Sequence, residues 1–77
     1  MNEKTLNEFE TVYSGLYHFY LKARKAGDDP VQTSIESAKV WALEIVMGRL
    51  GVTDYYGWRK DVEEELAENG QGRKAVS

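Results

Sequence analysis

The sequence predicts an all-α protein, an antiparallel up-down-up bundle of three helices over about residues 6–26, 30–50 and 54–69. Three observations lead to this fold class. Apolar residues recur with helical spacing in three segments, capping residues bound each segment, and the linkers are short enough to place successive helices side by side. We expect a single helical domain over residues 1–70, followed by a flexible C-terminal tail over residues 71–77.

The first helix has a start signal and a stop signal in the sequence. The Thr5 hydroxyl can accept a hydrogen bond from the backbone N–H of Glu8, whose carboxylate can reach back to Thr5 in a capping box. The helix is therefore expected to start near Leu6. It should end at Gly27, because glycine adopts the left-handed conformation of a helix C-cap without steric cost.

The second helix is bounded still more clearly. Asp29 is a favourable N-cap, Pro30 suits the first helical position, and Gln32 occupies the third position of a second capping box. Gly51 is expected to end the helix near Leu50, and Gly48 offers an earlier end as the alternative.

Two apolar stripes run along the second helix. The valine–isoleucine stripe consists of Val31, Ile35, Ala38, Ala42, Ile45 and Val46. The methionine stripe consists of Val40, Leu43, Met47 and Leu50. The C-terminal half of this helix is therefore apolar on almost all sides. Because such a helix is normally buried between neighbours, we expect it to be the central one of the bundle, between the other two helices.

The third helix is expected to begin after Thr53 or Asp54 as N-cap and to end at the pair Asn69-Gly70. Its narrow apolar seam consists of Tyr55, Trp58, Val62 and Leu66. Its acidic residues, turned away from that seam, are Asp61, Glu63, Glu64, Glu65 and Glu68. This pattern predicts a helix that covers the core from one side.

The segment from Leu6 to Leu21 is rich in aromatic and aliphatic residues. As a helix, its apolar residues fill an arc of roughly 200°, whereas a surface helix shows an apolar stripe from about 100° upward. Tyrosine buries an apolar ring and keeps a polar tip, so Tyr13, Tyr17 and Tyr20 suit a surface that is closed only in a complex. The alternative is that a small domain uses these rings to fill its own core.

Trp41 and Gly15 are further candidates for contact with a partner. Trp41 projects about 90° from the valine–isoleucine stripe, beside small and polar residues. It either folds over the bundle edge against Trp58 or Tyr55, or it anchors in a partner's pocket, because tryptophan is enriched at binding hot spots. Gly15 costs up to about 1 kcal/mol in mid-helix relative to alanine, so it either admits another backbone or reflects neutral drift.

The sequence contains no recognisable catalytic or metal-binding constellation. His18 is the single histidine, and its helical neighbours Ser14 and Lys22 include no carboxylate to orient it. There is no cysteine, and the carboxylates are spread along an exposed face rather than clustered as in zinc or calcium sites. Gly48 and Gly51 follow a helix and precede no Walker lysine. We expect no enzymatic activity, small-molecule substrate, cofactor or metal.

The expected location is the cytoplasm, with no membrane contact. The first residues lack the basic start and apolar run of a signal peptide. The longest nearly apolar stretch, Val40 to Met47, is broken by Glu44 and is far shorter than the ~20 residues of a membrane span. The lack of cysteine also removes the disulfides on which small secreted domains depend.

Two charged groups leave further interactions open. Lys22, Arg24 and Lys25 could contact DNA, although cations at a helix C-terminus also complement the helix dipole, and the net charge of -3 gives no bulk attraction to phosphate. The acidic surface of the third helix could instead imitate nucleic-acid phosphates, although a solvated helix face is the ordinary explanation. That acidic surface consists of Asp61, Glu64, Glu65 and Glu68.

Three functional hypotheses follow. The first is a non-enzymatic protein-interaction module that self-associates or docks on a partner through the aromatic face of the first helix and the exposed side of the second. The second is an inhibitor or regulator of a nucleic-acid enzyme acting through the acidic third helix; in length and compactness the chain resembles small helical proteins that phages and mobile elements use against host machinery. The third is a small DNA-binding regulator. The contact residues of the first hypothesis are Tyr13, Gly15, Tyr17, Tyr20 and Trp41.

Overall fold

The protein folds into three α-helices. The computed structural model describes the backbone of residues 2–76 and the side chains of residues 2–67. The helices are α1 (Glu3–Ala26), α2 (Pro30–Arg49) and α3 (Tyr55–Val76), and the described residues form no strand. The predicted all-α three-helix class is therefore confirmed.

The first helix starts one turn earlier than its sequence indicates. Asn2 is the N-cap, and its side-chain oxygen accepts a hydrogen bond of 2.8 Å from the backbone N–H of Thr5. The capping box predicted at Thr5 and Glu8 is therefore wrong. Asparagine caps at least as well as threonine, and nothing between Asn2 and Thr5 interrupts a helix, so the earlier cap prevails.

The connection between α1 and α2 has the predicted caps. Gly27 has φ 68°, and its N–H donates to the Ala23 carbonyl at 3.1 Å, which is a left-handed C-cap. Asp29 caps α2 by accepting from the Gln32 backbone N–H at 3.0 Å. Only half of the second capping box forms, because the Gln32 side chain donates to Glu36 at 2.7 Å instead of reaching back to Asp29.

The C-terminus of α2 closes in a Schellman motif. The Gly51 N–H donates to the Gly48 carbonyl at 3.2 Å, and the Val52 N–H donates to the Met47 carbonyl at 2.8 Å. Gly51 has φ 78°, as this motif requires. Val52 and Met47 are both buried, so they supply the apolar contact that accompanies the motif. The chain is thereby turned tightly from α2 toward α3.

The third helix starts where the sequence predicts and ends later. Its first turn is closed by backbone hydrogen bonds from Gly57 and Trp58 to the Asp54 carbonyl, at 3.0 and 3.3 Å. It continues to Val76, beyond the end predicted at residues 69–70, because a glycine inside a helix costs only about 1 kcal/mol and does not force termination. The side chains of residues 68–77 lie outside the described residues, and the flexibility expected for 71–77 stays a prediction.

The central helix is α1, not α2 as the apolar pattern of α2 suggests. α1 packs along both α2 and α3. It runs in the same direction as α3, since Tyr13 lies against Tyr55 and Trp58 while Tyr17 reaches Glu63 one to two turns further along. The expectation for α2 is wrong because α2 buries the methionine stripe alone, which requires one neighbour rather than two.

The core is small and aromatic. Rings of α1 and α3 meet at its centre, with the Tyr13 ring 6.0 Å from Tyr17, 5.7 Å from Tyr55 and 6.1 Å from Trp58. Such spacings fall within the 4.5–7 Å preferred by aromatic pairs. The buried apolar residues are Tyr13, Tyr17, Val40, Met47, Val52, Trp58 and Val62.

Alanine substitutions at Gly15 and Gly27 should have opposite effects on stability. A Cβ at Gly15 would meet no atom within 4 Å, so Gly15→Ala should raise the free energy of unfolding by about 0.5–1 kcal/mol. Gly27→Ala should lower it by about 1–2 kcal/mol, because φ at Gly27 is +68°. Urea unfolding at one fixed protein concentration, followed by far-UV circular dichroism, measures both. Shifts of the same sign would contradict the two backbone conformations.

Candidate interaction surface

Tyr13 and Tyr17 belong to the core of the chain. They are 0% and 4% exposed. This corrects the expectation that their rings form an open surface of α1: both rings lie on the arc of α1 that faces α2 and α3, where the core closes over them. Tyr20 lies at the margin of the core and is half-buried, with its ring 6.0 Å from the Tyr17 ring.

Both buried phenols are hydrogen-bonded to carboxylates of the other two helices. The Tyr13 hydroxyl donates to Glu44 Oε2 of α2 at 2.5 Å, and the Tyr17 hydroxyl donates to Glu63 Oε1 of α3 at 2.7 Å. Arg59 of α3 completes this phenol–carboxylate network. Its Nη1 lies 3.8 Å from Glu44 Oε2, and its guanidinium lies 5.2 Å from the centre of the Tyr17 ring.

The phenol–carboxylate network holds both tyrosines in the neutral form. Burial raises the pKa of Tyr13 far above its ordinary value, and the hydrogen bond to the negatively charged Glu44 raises it further. Burial also raises the pKa of Tyr17, followed by the hydrogen bond to Glu63, with Arg59 acting in the opposite direction. Each phenol is therefore a donor that ties α1 to a neighbouring helix rather than a group that titrates near neutral pH.

The polarity of α2 is inverted relative to an ordinary surface helix. Its two carboxylates face the bundle: Glu44 accepts from Tyr13, and Glu36 is only 9% exposed. Glu36 is satisfied within α2 by Gln32 Nε2 at 2.7 Å and Lys39 Nζ at 3.2 Å. Charged residues are rarely buried unless they are paired. Both carboxylates of α2 therefore lie on its inner side, while the exposed side carries apolar residues together with the cations Lys39 and Arg49.

The outer side of α2 is the valine–isoleucine stripe. Its four branched residues are between 45% and 69% exposed, and Ala38 and Ala42 between them are exposed as well. The methionine stripe faces α1 instead, with Val40 and Met47 buried, Leu43 half-buried and Leu50, at the C-cap, 54% exposed. The four branched residues of the exposed stripe are Val31, Ile35, Ile45 and Val46.

Trp41 extends the exposed apolar surface of α2. It is 67% exposed, and its ring makes no stacking contact with Trp58 or Tyr55 among the described aromatic pairs. The expectation that Trp41 folds over the bundle edge is therefore wrong, because the rings of α3 are occupied by Tyr13 instead. Trp41 lines one wall of a shallow groove of ≈ 390 Å³, and Tyr20 lines the other.

Gly15 and the exposed apolar residues of α1 face other directions. Gly15 is exposed and adjoins no other chain segment, so the close backbone approach it could permit is not made within the monomer. Phe19 and Val12 are 61% and 54% exposed, and Val12 borders a small groove with Leu43 of α2. The open apolar surface of α1 is thus limited to isolated side chains, unlike the continuous stripe on α2.

The remaining candidate groups are dispersed over the surface. His18 is half-buried, with its ring 6.2 Å from Phe19 in an edge-to-face arrangement. Glu63 is not part of a free acidic face, as the sequence suggested, since it accepts from Tyr17. The cations at the end of α1 are exposed, namely Lys22, Arg24 and Lys25. The acidic residues exposed on α3 are Asp61, Glu64 and Glu65, and Glu68 lies outside the described side chains.

The described residues hold neither a metal site nor a membrane-spanning helix. They contain no group of three or more potential ligands that could hold a metal ion. None of the helices, over the same residues, combines the length and apolar character needed to cross a bilayer.

The phenol–carboxylate network and Glu36 are the polar features that sequence reasoning missed. The residues of the network are spread over three helices, so no local sequence motif predicts their contacts. Glu36 and Glu44 both project away from the valine–isoleucine stripe, but a helix that buried this stripe and solvated its charges would show the same pattern. The sequence of α2 alone therefore does not reveal that its carboxylates face the bundle.

No family of known proteins matches this chain, and neither the curated proteins nor the solved structures contain a detectable relative. The protein is therefore classified by its structure alone, as an all-α three-helix bundle with an apolar stripe exposed on its second helix.

Removing each phenol hydroxyl in turn should show which hydrogen bond, Tyr13 to Glu44 or Tyr17 to Glu63, contributes more to stability. Tyr13→Phe should lower the free energy of unfolding by about 1–2 kcal/mol, because the hydroxyl is buried and its acceptor is charged. Tyr17→Phe should cost less, under about 1 kcal/mol, because Glu63 is exposed and water can replace the donor. Urea titrations compare the variants with wild type. A larger loss for Tyr17→Phe would contradict this ranking.

Stability should fall in alkaline solution through the same tyrosines. The folded-state pKa of Tyr13 and Tyr17 is raised above the unfolded value of about 10. Their contribution is therefore complete below about pH 10, and above it the unfolding free energy falls by up to about 1.4 kcal/mol per pH unit for each group. Urea unfolding between about pH 9 and pH 11 should show a shallower fall for Tyr13→Phe than for wild type. Equal slopes would refute the assignment.

Proposed function

We propose that the protein is a non-enzymatic protein-interaction module whose binding surface is the outer side of α2. The observation that carries this proposal is the inverted polarity of α2. Both of its carboxylates face the bundle, whereas the branched side chains of the valine–isoleucine stripe face outward.

The size of the exposed surface supports this proposal. Scattered exposed apolar residues are normal on a protein surface, but a contiguous stripe marks a contact site. The valine–isoleucine stripe spans about four turns of helix, and Trp41 adds a large ring beside it. Tryptophan is among the residues that contribute most to binding energy at interfaces.

The contribution of α1 to this surface is smaller than the sequence suggests. Tyr13 and Tyr17 are enclosed in the core, which leaves Tyr20 as the tyrosine of α1 that borders the groove beside Trp41. The proposed surface therefore consists of the valine–isoleucine stripe, Trp41 and the exposed edge of Tyr20.

Crosslinking in the cells that express the protein tests this function. Wild type should be recovered in a crosslinked complex, made either with itself or with another protein, and Ile35→Glu should abolish that complex because a charge would have to be buried in the contact. Val12→Glu is the matched control, since Val12 is similarly exposed but lies on α1.

The outcome depends on which variant loses the complex. Loss with Ile35→Glu and retention with Val12→Glu supports the proposal, provided that both variants keep the helical circular dichroism of wild type. Equal recovery of the complex with wild type and Ile35→Glu would exclude the outer side of α2 as the binding surface.

A further inference from the structure

We propose that the occupant of the valine–isoleucine stripe is the same stripe of a second copy of this chain, paired antiparallel about a two-fold axis near residue 40. This inference rests on the proposed function and names its partner. It is argued from the spacing of the stripe, from charge and from area.

The spacing of the exposed stripe is that of a two-helix seam. Val31, Ile35, Ala38, Ala42 and Ile45 follow one another in alternating steps of four and three residues. This heptad pattern keeps a seam facing a partner helix when two helices wind around each other. The stripe therefore has the geometry that a single long helix would fit, rather than that of a round pocket.

An antiparallel arrangement makes the seam complementary to itself. With the axis near residue 40, Ile35 of one copy lies opposite Ile45 of the other, and Ala38 lies opposite Ala42. The small alanines at the centre let the two backbones approach, while the isoleucines on either side fill the space between the helices. Isologous contacts of this kind are the commonest basis of homodimers.

Charge distinguishes the antiparallel from the parallel arrangement. Arg49 continues the seam at its C-terminal end. A parallel pair would place Arg49 opposite Arg49 of the second copy, whereas the antiparallel pair places it opposite Val31, within one turn of Asp28 and Asp29 at the exposed start of the other α2. Lys39 and Trp41 lie on opposite flanks of the seam, and each comes beside its own copy near the axis. Of the two, Lys39 is charged, and it is already paired with Glu36 at 3.2 Å.

The exposed area is suited to a dimer of modest stability. The stripe and Trp41 together expose on the order of 600 Å², close to the roughly 800 Å² that each partner contributes to a stable interface. The outer side of α2 offers no free carboxylate that would have to be desolvated, since Glu36 and Glu44 are both engaged on the inner side. Near the axis, each Trp41 lies beside that of the other copy.

Sedimentation from micromolar to millimolar concentration tests self-association. Wild type should sediment as a dimer at millimolar concentration. Ala42→Glu should raise the dissociation constant of the dimer at least about 100-fold, because it places an unpaired carboxylate at the centre of the seam. Ala42 is exposed and helical in the monomer, so the fold should persist, which circular dichroism verifies. Gly15→Glu, on a different helix, is the matched control and should leave the dimer intact.

Single cysteines report the orientation, because the natural chain contains none. Ser34→Cys and Gly48→Cys flank the seam, and in the antiparallel dimer each lies beside the other residue of the second copy. A short bismaleimide should therefore couple a mixture of the two variants but neither variant alone. Two Ser34 positions are about 18 Å apart along the helix axis in the antiparallel dimer, beyond the reach of the reagent.

Each result separates this inference from the proposed function. Coupling of Ser34→Cys to itself would overturn the antiparallel arrangement. If wild type is a monomer at every concentration, the second copy is not the occupant of the stripe. In that case the proposed function still stands if Ile35→Glu abolishes crosslinking to a different protein. If Ile35→Glu abolishes no crosslinked complex, both the inference and the proposed function fail. A dimer that dissociates with Ala42→Glu and couples only as a mixture supports the inference.

Discussion

The fold depends on which side of α2 is pressed against α1. Tyr13 decides this, since its ring is completely buried and its hydroxyl group, like that of Tyr17 on the side of α3, requires a hydrogen-bond acceptor. Glu44 supplies one acceptor from α2, and Glu63 supplies the other from α3. Satisfying Tyr13 turns the methionine stripe inward, and the more regular valine–isoleucine stripe is consequently left facing out.

This constraint links the stability of the fold to the proposed binding surface. A helix with two apolar sides gains about 25 cal/mol for each Å² of apolar surface removed from water, whichever side it buries. In the monomer, hydrogen bonding decides which of the two sides is buried, because rotating α2 would expose Met47 and leave the Tyr13 hydroxyl without its acceptor Glu44. The remaining stripe keeps its tendency to be buried, which is available for association.

The sequence predicted the class of fold, the caps at Gly27 and Asp29 and the turn at Gly51, because these are local events governed by backbone conformation within a few residues. It misplaced the centre of the bundle and the surface. Periodicity reveals that α2 has two apolar stripes but cannot rank them, since the ranking depends on Tyr13 and Glu44, which lie 31 positions apart. Likewise, the breadth of apolar surface on α1 signals two neighbours within the chain as readily as a partner outside it.

The central claim concerns the orientation of α2, and methyl resonances measured with a soluble paramagnetic agent test it most directly. The account predicts that the methyl groups of Val40 and Met47 are protected at every protein concentration. Those of Ile35 and Ile45 should be broadened in dilute solution and become protected as the concentration rises. Protection of the isoleucine methyl groups in dilute monomer, with broadening of Met47, would contradict the account.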